Sequence, residues 1–261
     1  MQRFFILKEF LRYQLSAKSK YWIHSPFVFS FINEVMNDKR NFYCFDEIEK
    51  LRAELVKNNS VIQVNDFGAG TLHGKKSERT ISFIAKTSGT PAKYAQLLFR
   101  LIEHYQLKNI LELGTSHGIA TSYFASTAHD AKVISIEGSN SIADEAEKNL
   151  KQLALSNAKI IRGEFEKKLP EALSEMKKID FLFLDGDHRL TSTLSYFNQC
   201  VPHLHENSVV VLDDIYWSAE MKTAWQQVCA HQSVTLSIDL FRLGILFFRK
   251  DRAKEHFILR Y

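Results

Sequence analysis

The stretch Asn109-Ile110-Leu111-Glu112-Leu113-Gly114-Thr115-Ser116-His117-Gly118 constrains this chain most. It reads as a buried strand, a glycine-bearing turn and the start of a helix. Such a turn lets a nucleotide-like ligand touch bare backbone at the carboxyl end of a parallel strand. A second apolar strand, Val133-Ile134-Ser135-Ile136, ends on Glu137, 23 residues past Gly114. A carboxylate there can accept both hydroxyls of a ribose. Glycine at a strand-to-helix turn is common in α/β proteins, so the pairing of turn and acid says more than either alone.

A dinucleotide site also wants an acid at about this distance, but after G-x-G-x-x-G. Here Thr115 and Ser116 follow Gly114 with no second glycine, which argues against close approach to a pyrophosphate. The E-L-G-x-x-x-G turn with its later strand-end acid resembles the class I S-adenosylmethionine (SAM) methyltransferases. That resemblance implies cofactor contacts from Glu112, Gly114, Thr115, Ser116, Gly118 and Glu137.

Around these strands the chain alternates. Apolar runs at about 109–113, 132–137, 158–162, 179–185 and 208–213 read as strands, and helical patterns fill about 92–107, 118–128, 141–154, 168–177 and 190–202. Alternation of this kind means right-handed βαβ units and a parallel sheet covered on both faces. Two further runs, 234–240 and 243–249, flank a turn at Arg242–Gly244 and read as a terminal hairpin. Five parallel strands and that hairpin match the seven-stranded sheet of the resembled family, an α/β, Rossmann-like fold with helices on both faces.

Residues 86–261 are accordingly read as a methyltransferase domain, and 1–85 as an N-terminal helical appendage or lid. In the appendage Phe4, Leu7, Phe10 and Leu11 recur at helical spacing, Ser25 before Pro26 marks a helix start, and Phe45 to Val56 is amphipathic. Residues 61–80 read as irregular. Within them Asp66-Phe67-Gly68-Ala69-Gly70 is read as a loop near the site, since no strand-end acid follows it and Gly74-Lys75-Lys76 completes no P-loop.

Ligands in open α/β sheets sit outside the carboxyl ends of the strands. After 158–162 come Gly163 and Glu164. In the resembled family this turn borders the adenine, with a helix-capping role as the alternative for Glu164. The next strand ends Leu184-Asp185-Gly186-Asp187-His188, and the one after it Leu212-Asp213-Asp214. Three carboxylates at neighbouring strand ends repel one another. Either their pKa values rise or a cation sits among them. Oxygen-only ligands suit Mg²⁺ or Ca²⁺. A lone strand-end aspartate more often caps the next helix.

This set, over about residues 86–250, resembles the cation-dependent O-methyltransferases related to the catechol and caffeoyl-CoA enzymes. The resemblance implies a divalent ion, Mg²⁺ or else Ca²⁺ or Mn²⁺, on Asp185, Asp213 and Asp214, with Asp185 also beside the cofactor. Asp214 departs from the asparagine of catechol-type members. His188 stands where the family carries its catalytic lysine, so catalysis is assigned to His188 and Asp185. Imidazole changes charge near neutral pH, which suits a base. The implied reaction moves a methyl group from SAM to a hydroxyl of a small molecule. A hydroxylated tRNA base as acceptor, or a SAM-binding module without turnover, are the alternatives.

The formal charge of +4 is uneven. Residues 1–108 carry +7 and residues 109–261 carry −3. A basic appendage suits an anionic partner such as tRNA, or merely solvates its helices. Cys44, Cys200 and Cys229 are widely spaced and offer neither a disulfide framework nor a zinc site, which fits a reducing cytoplasm. The apolar run Phe4-Phe5-Ile6-Leu7 is cut by Lys8, Glu9 and Arg12, unlike a secretory leader, and no run approaches a membrane span. A homodimer is left open.

Overall fold

The computed structural model describes residues 2–65, 76–250 and 253–261. In chain order the helices are α1 Gln2–Ser16, α2 Pro26–Phe31, α3 Phe45–Lys57, α4 Ile81–Thr87, α5 Ala92–Tyr105, α6 Ile119–Ala125, α7 Asn140–Gln152, α8 Phe165–Met176, α9 Leu190–Cys200 and α10 Ala219–Ala230. The strands are β1 Val61–Asn65, β2 Lys76–Thr80, β3 Asn109–Leu113, β4 Lys132–Glu137, β5 Ala158–Arg162, β6 Phe181–Leu184, β7 Val209–Leu212, β8 Leu236–Asp239, β9 Gly244–Phe247 and β10 Glu255–Ile258. Two compact units result: Asp38–Met176, and Met1–Asn37 together with Lys177–Tyr261.

In the unit Asp38–Met176, β3, β4 and β5 run parallel, with Ile110 beside Val133 and Ile134 beside Lys159. Ile110, Leu111, Leu113, Val133, Ile134 and Ile136 are all buried. Near-continuous apolar runs are what a sheet covered on both faces demands. Phe45 of α3 meets Phe99 of α5 and Tyr123 of α6 edge-on, with ring centroids 5.1 and 5.3 Å apart. That is the geometry favoured by ring quadrupoles. β1 and β2 pair antiparallel, Val61 opposite Thr80 and Asn65 opposite Lys76. The stretch read as irregular therefore holds a hairpin. Lys76-Ser77-Glu78-Arg79-Thr80 has no apolar alternation to betray a strand. The Asp66–Gly70 loop, Gly74 and Lys75 lie outside the described residues.

In the other unit β6 and β7 run parallel, and every residue of Phe181–Leu184 and Val209–Leu212 is buried. β9 runs antiparallel to both β7 and β8, so the expected terminal hairpin is present. β10 then pairs parallel with β8, Glu255 beside Leu236. It makes the mostly parallel sheet eight-stranded where seven strands were expected. A four-residue run, Glu255-His256-Phe257-Ile258, offers too few periods to be read from sequence. The segment of α1 and the residues just after it is tied to the end of β10 and to α10. The Tyr13 hydroxyl donates to the Leu259 carbonyl at 2.5 Å, the Lys18 N–H donates to the Ile258 carbonyl at 2.8 Å, and Glu9 pairs with Lys222 at 2.7 Å. No described helix is long and apolar enough to cross a membrane.

Phe45 is 2% exposed at the centre of the α3–α5–α6 contact. Phe45→Ala is expected to cost about 3–5 kcal/mol of unfolding free energy, read from urea titration, by leaving a cavity between well-packed rings. A loss below about 1 kcal/mol would show that the ring packs loosely.

Candidate active site

The glycine turn follows β3 in the unit Asp38–Met176. Gly114, Ser116 and Gly118 have φ of 107°, 50° and 75°. Glycine adopts these left-handed values freely, while Ser116 adopts them at a cost. At Gly118 a Cβ would come within 3.3 Å of Ala146 Cβ, so α6 starts hard against α7. The Gly114 N–H donates to the Ile136 carbonyl at 3.0 Å. Glu137, at the tip of β4, then closes the turn. Its Oε2 accepts the Ser116 N–H at 3.0 Å and its Oε1 accepts the Ser139 N–H at 2.9 Å. A carboxylate offers about four acceptor sites, which suits a residue that is to accept ribose hydroxyls. Ser116 Oγ is buried with no hydrogen-bond partner among the described residues. Buried polar atoms of this kind call for a ligand or a water. Glycines, paired acceptor and orphaned hydroxyl together fit an adenosyl cofactor.

Behind the turn lies a buried polar network. Glu112 is fully buried, and its Oε2 accepts from Thr121 Oγ1 at 2.5 Å and from Ser135 Oγ at 2.6 Å. Thr115 Oγ1 lies 2.6 Å from the same Ser135 Oγ. The side chains of Glu112 and Thr115 thus brace the turn from within. Burial raises the Glu112 carboxyl to about 8. His117 is 2% exposed, with Nε2 3.2 Å from the Ile81 carbonyl and its own carbonyl accepting from the Asn149 amide at 2.9 Å. It pins the turn to α4 and α7. The Gly163 N–H donates to the Glu137 carbonyl at 2.9 Å, which brings the turn after β5 alongside. Glu164 immediately precedes α8 and pairs with Lys167 at 2.7 Å, a helix-start position like the alternative weighed for it.

The acid cluster forms in the other unit. The Asp213 N–H donates to the Leu184 carbonyl at 3.0 Å, which sets the tips of β6 and β7 level. Burial, and then the charges of Asp213 and Asp214, push the Asp185 carboxyl well above the usual carboxylate range. Burial and the Asp213 charge likewise raise Asp214. His188 Nε2 lies 3.8 Å from Asp185 Oδ1, too long for a hydrogen bond. Asp187, His188 and Asp214 have φ of 68°, 33° and 51°. Non-glycine residues held in this region cost of order 1–3 kcal/mol each and cluster at functional turns.

The cation this cluster demands is a residue of the chain. Arg242 Nε donates to Asp213 Oδ1 at 2.9 Å and Nη2 donates to Oδ2 at 2.8 Å. Nη2 also lies 3.7 Å from Asp214 Oδ1. The Asp214 N–H adds a further donor to Asp213 Oδ1 at 2.8 Å. Arg242 sits in the turn between β8 and β9, and its carbonyl accepts the Ile215 N–H at 3.2 Å. Sequence reasoning missed it. A clue was present: with β9 antiparallel to β7 and Leu212 opposite Gly244, residue 242 falls just beyond the tip of β7. The donor set therefore does not fit the expected Mg²⁺, Ca²⁺ or Mn²⁺ centre. Both oxygens of Asp213 are taken by the guanidinium. No group of three or more His, Cys, Asp or Glu among the described residues is placed to hold a metal ion.

Three further side chains have structural positions. Ser218 caps α10 by accepting the Met221 N–H at 3.1 Å, and Trp217 beside it is exposed. His205 pairs with Asp180 at 2.8 Å, away from the strand tips.

Residues 111–215 match the family model of a methyltransferase domain. An 87-residue stretch is 36% identical to the protein-L-isoaspartate O-methyltransferase of Chromobacterium violaceum. That match covers 33% of this chain and 38% of the relative, so the chain spans about two fifths of the length of the curated protein it matches. The O-methyltransferase TomG from Streptomyces achromogenes, solved with SAM and involved in tomaymycin synthesis, superposes with a TM-score of 0.58 at 15% identity over 89% of this chain and 99% of that one. A candidate caffeoyl-CoA O-methyltransferase from Staphylococcus aureus superposes at 0.57 with 20% identity over 64% of this chain and 88% of that one. The fold is thus the α/β, Rossmann-like fold of these methyltransferases, as the sequence resemblance implied.

The Glu112 network yields a pH test. Its carboxyl is raised to about 8 from 4.5, so the folded protein holds the proton more tightly than the unfolded chain. That stability is fully present below pH 4.5 and is lost as pH rises through about 8. Relative to Glu112→Gln, the wild type should lose about 1.4 kcal/mol per pH unit in that window. Urea midpoints of the two proteins, compared across the window, measure this. Parallel curves would mean that Glu112 stays ionised.

Proposed function

We propose that this methyltransferase-domain protein is a SAM-dependent O-methyltransferase whose acceptor is a hydroxyl group of a small molecule. The observation that carries the reading is the Glu137 carboxylate bound to the Ser116 and Ser139 amides beside the glycine turn. This is a preset acceptor for a ribose, joined to the glycine turn. Ser116 and Gly163 would border the same ligand, and Glu112 and Thr115 hold the turn in shape.

When bound, SAM supplies a methyl group already activated on a sulfonium sulfur. The remaining task is to orient and deprotonate an oxygen nucleophile. His188 is the group suited to take that proton, with Asp185 Oδ1 3.8 Å from its Nε2. The acceptor oxygen forms the new O–C bond as its proton passes to His188, and the C–S pair stays with the sulfur. The products are a methyl ether, S-adenosylhomocysteine and a proton returned to solvent from His188. The reading requires one acceptor to be within reach of both the glycine turn and the acid cluster. Holding it in line supplies much of the acceleration.

Titration calorimetry with SAM is the first check. Binding is expected in the wild type and is expected to weaken about tenfold or more in Glu137→Gln, which loses an acceptor for the ribose. No heat of binding in the wild type would sink the reading. The second check is turnover with a catechol, scored as O-methyl product by mass spectrometry, beside a parallel assay on bulk tRNA. His188→Ala should lower kcat by about 10²- to 10⁴-fold while leaving SAM affinity in place. Methylation of tRNA alone would move the acceptor to a nucleic acid, and unchanged kcat in His188→Ala would remove the proposed base.

A further inference from the structure

The structure assigns Arg242 the part of a built-in cation: its guanidinium holds Asp213 beside Asp214 and Asp185 in place of a divalent ion, so methyl transfer proceeds without a bound metal. Three observations carry this. The contact is a fork on both oxygens of Asp213, at 2.9 and 2.8 Å, with the carboxylate fully buried. Guanidinium is planar, always charged and matched to a carboxylate in this geometry, so it satisfies both oxygens at once. The turn that carries Arg242 is fixed to the same segment, since its carbonyl accepts the N–H of Ile215, the residue after Asp214. And the same guanidinium reaches the neighbouring acid, with Nη2 3.7 Å from Asp214 Oδ1.

A metal ion arriving at this cluster meets a fixed positive charge on the carboxylate it needs. With Asp213 fully buried, that repulsion is strong. Arg242 is thus a positioning residue. It keeps Asp213 oriented and offsets the charge that would otherwise oppose Asp185 and Asp214. Removing it takes away the guanidinium from Asp213, which is then able to turn with Asp185 and Asp214 toward an added cation.

The inference rests on the proposed reaction only for what the cluster is used for, and its test is read without turnover. Full-length wild type, stripped with EDTA, is titrated with Mn²⁺ and free ion is followed by electron paramagnetic resonance. Wild type is expected to leave Mn²⁺ free. Arg242→Ala, and Arg242→Gln as a second variant should the first fail to fold, are expected to bind one equivalent at least about 100-fold more tightly than wild type. Adding Asp213→Asn should abolish that binding, and guanidinium should compete with the ion. A wild type that binds one equivalent of Mn²⁺ and loses it in Asp213→Asn overturns the inference. So does a folded Arg242 variant that gains no Mn²⁺. In the methylation assay EDTA should leave the wild-type rate unchanged. Failure of SAM to bind at all would strike the proposed reaction and leave the Mn²⁺ result standing.

Discussion

Strands covered on both faces can carry charge only at their tips. β6 and β7 are buried along their whole length, and β3 and β4 nearly so. An ionised group along such a strand would need a partner in a dry interior, which is costly. The acids of this protein are accordingly collected where each strand stops: Glu137, Asp185, Asp213 and Asp214. The same backbone ends supply the amides and left-handed turns that can approach a ligand. In each unit the chemistry sits at strand ends because the buried strand interiors exclude it.

The two groups of tip acids are neutralised differently. Glu137 accepts from two neutral backbone amides rather than from a cation in those contacts. Asp213 is held by a guanidinium and is fully committed. Asp185 and Asp214 lie beside it, raised above the usual carboxylate range by burial and by their neighbours. Glu112 illustrates a third solution, a carboxyl raised to about 8 that works as a neutral brace behind the turn. Similar residue types at similar positions therefore have distinct tasks, set by what each carboxyl oxygen faces.

Much of this was legible in the sequence. Glycine turn, strand-end acids and alternating pattern specify the parallel strands and the terminal hairpin, because parallel strands need long apolar runs and crossovers leave helical periods. What escaped was carried by pairing rather than by period. β2 is a polar strand recognisable only by its partner β1. β10 is a short strand added at an edge by α1 and the chain's end. Arg242 reads as an ordinary turn residue until the antiparallel register sets it beside Asp213. The three acids left two outcomes open, raised pKa values or a cation among them. They could not announce that the chain supplied one.

A crystal structure of the protein with S-adenosylhomocysteine tests the central claim most directly. The account predicts ribose hydroxyls within hydrogen-bond reach of Glu137, the ligand lying along the Gly114–Gly118 turn, and the Arg242 fork still seated on Asp213. A nucleoside bound elsewhere, or Arg242 swung away with a metal ion among Asp185, Asp213 and Asp214, would contradict it.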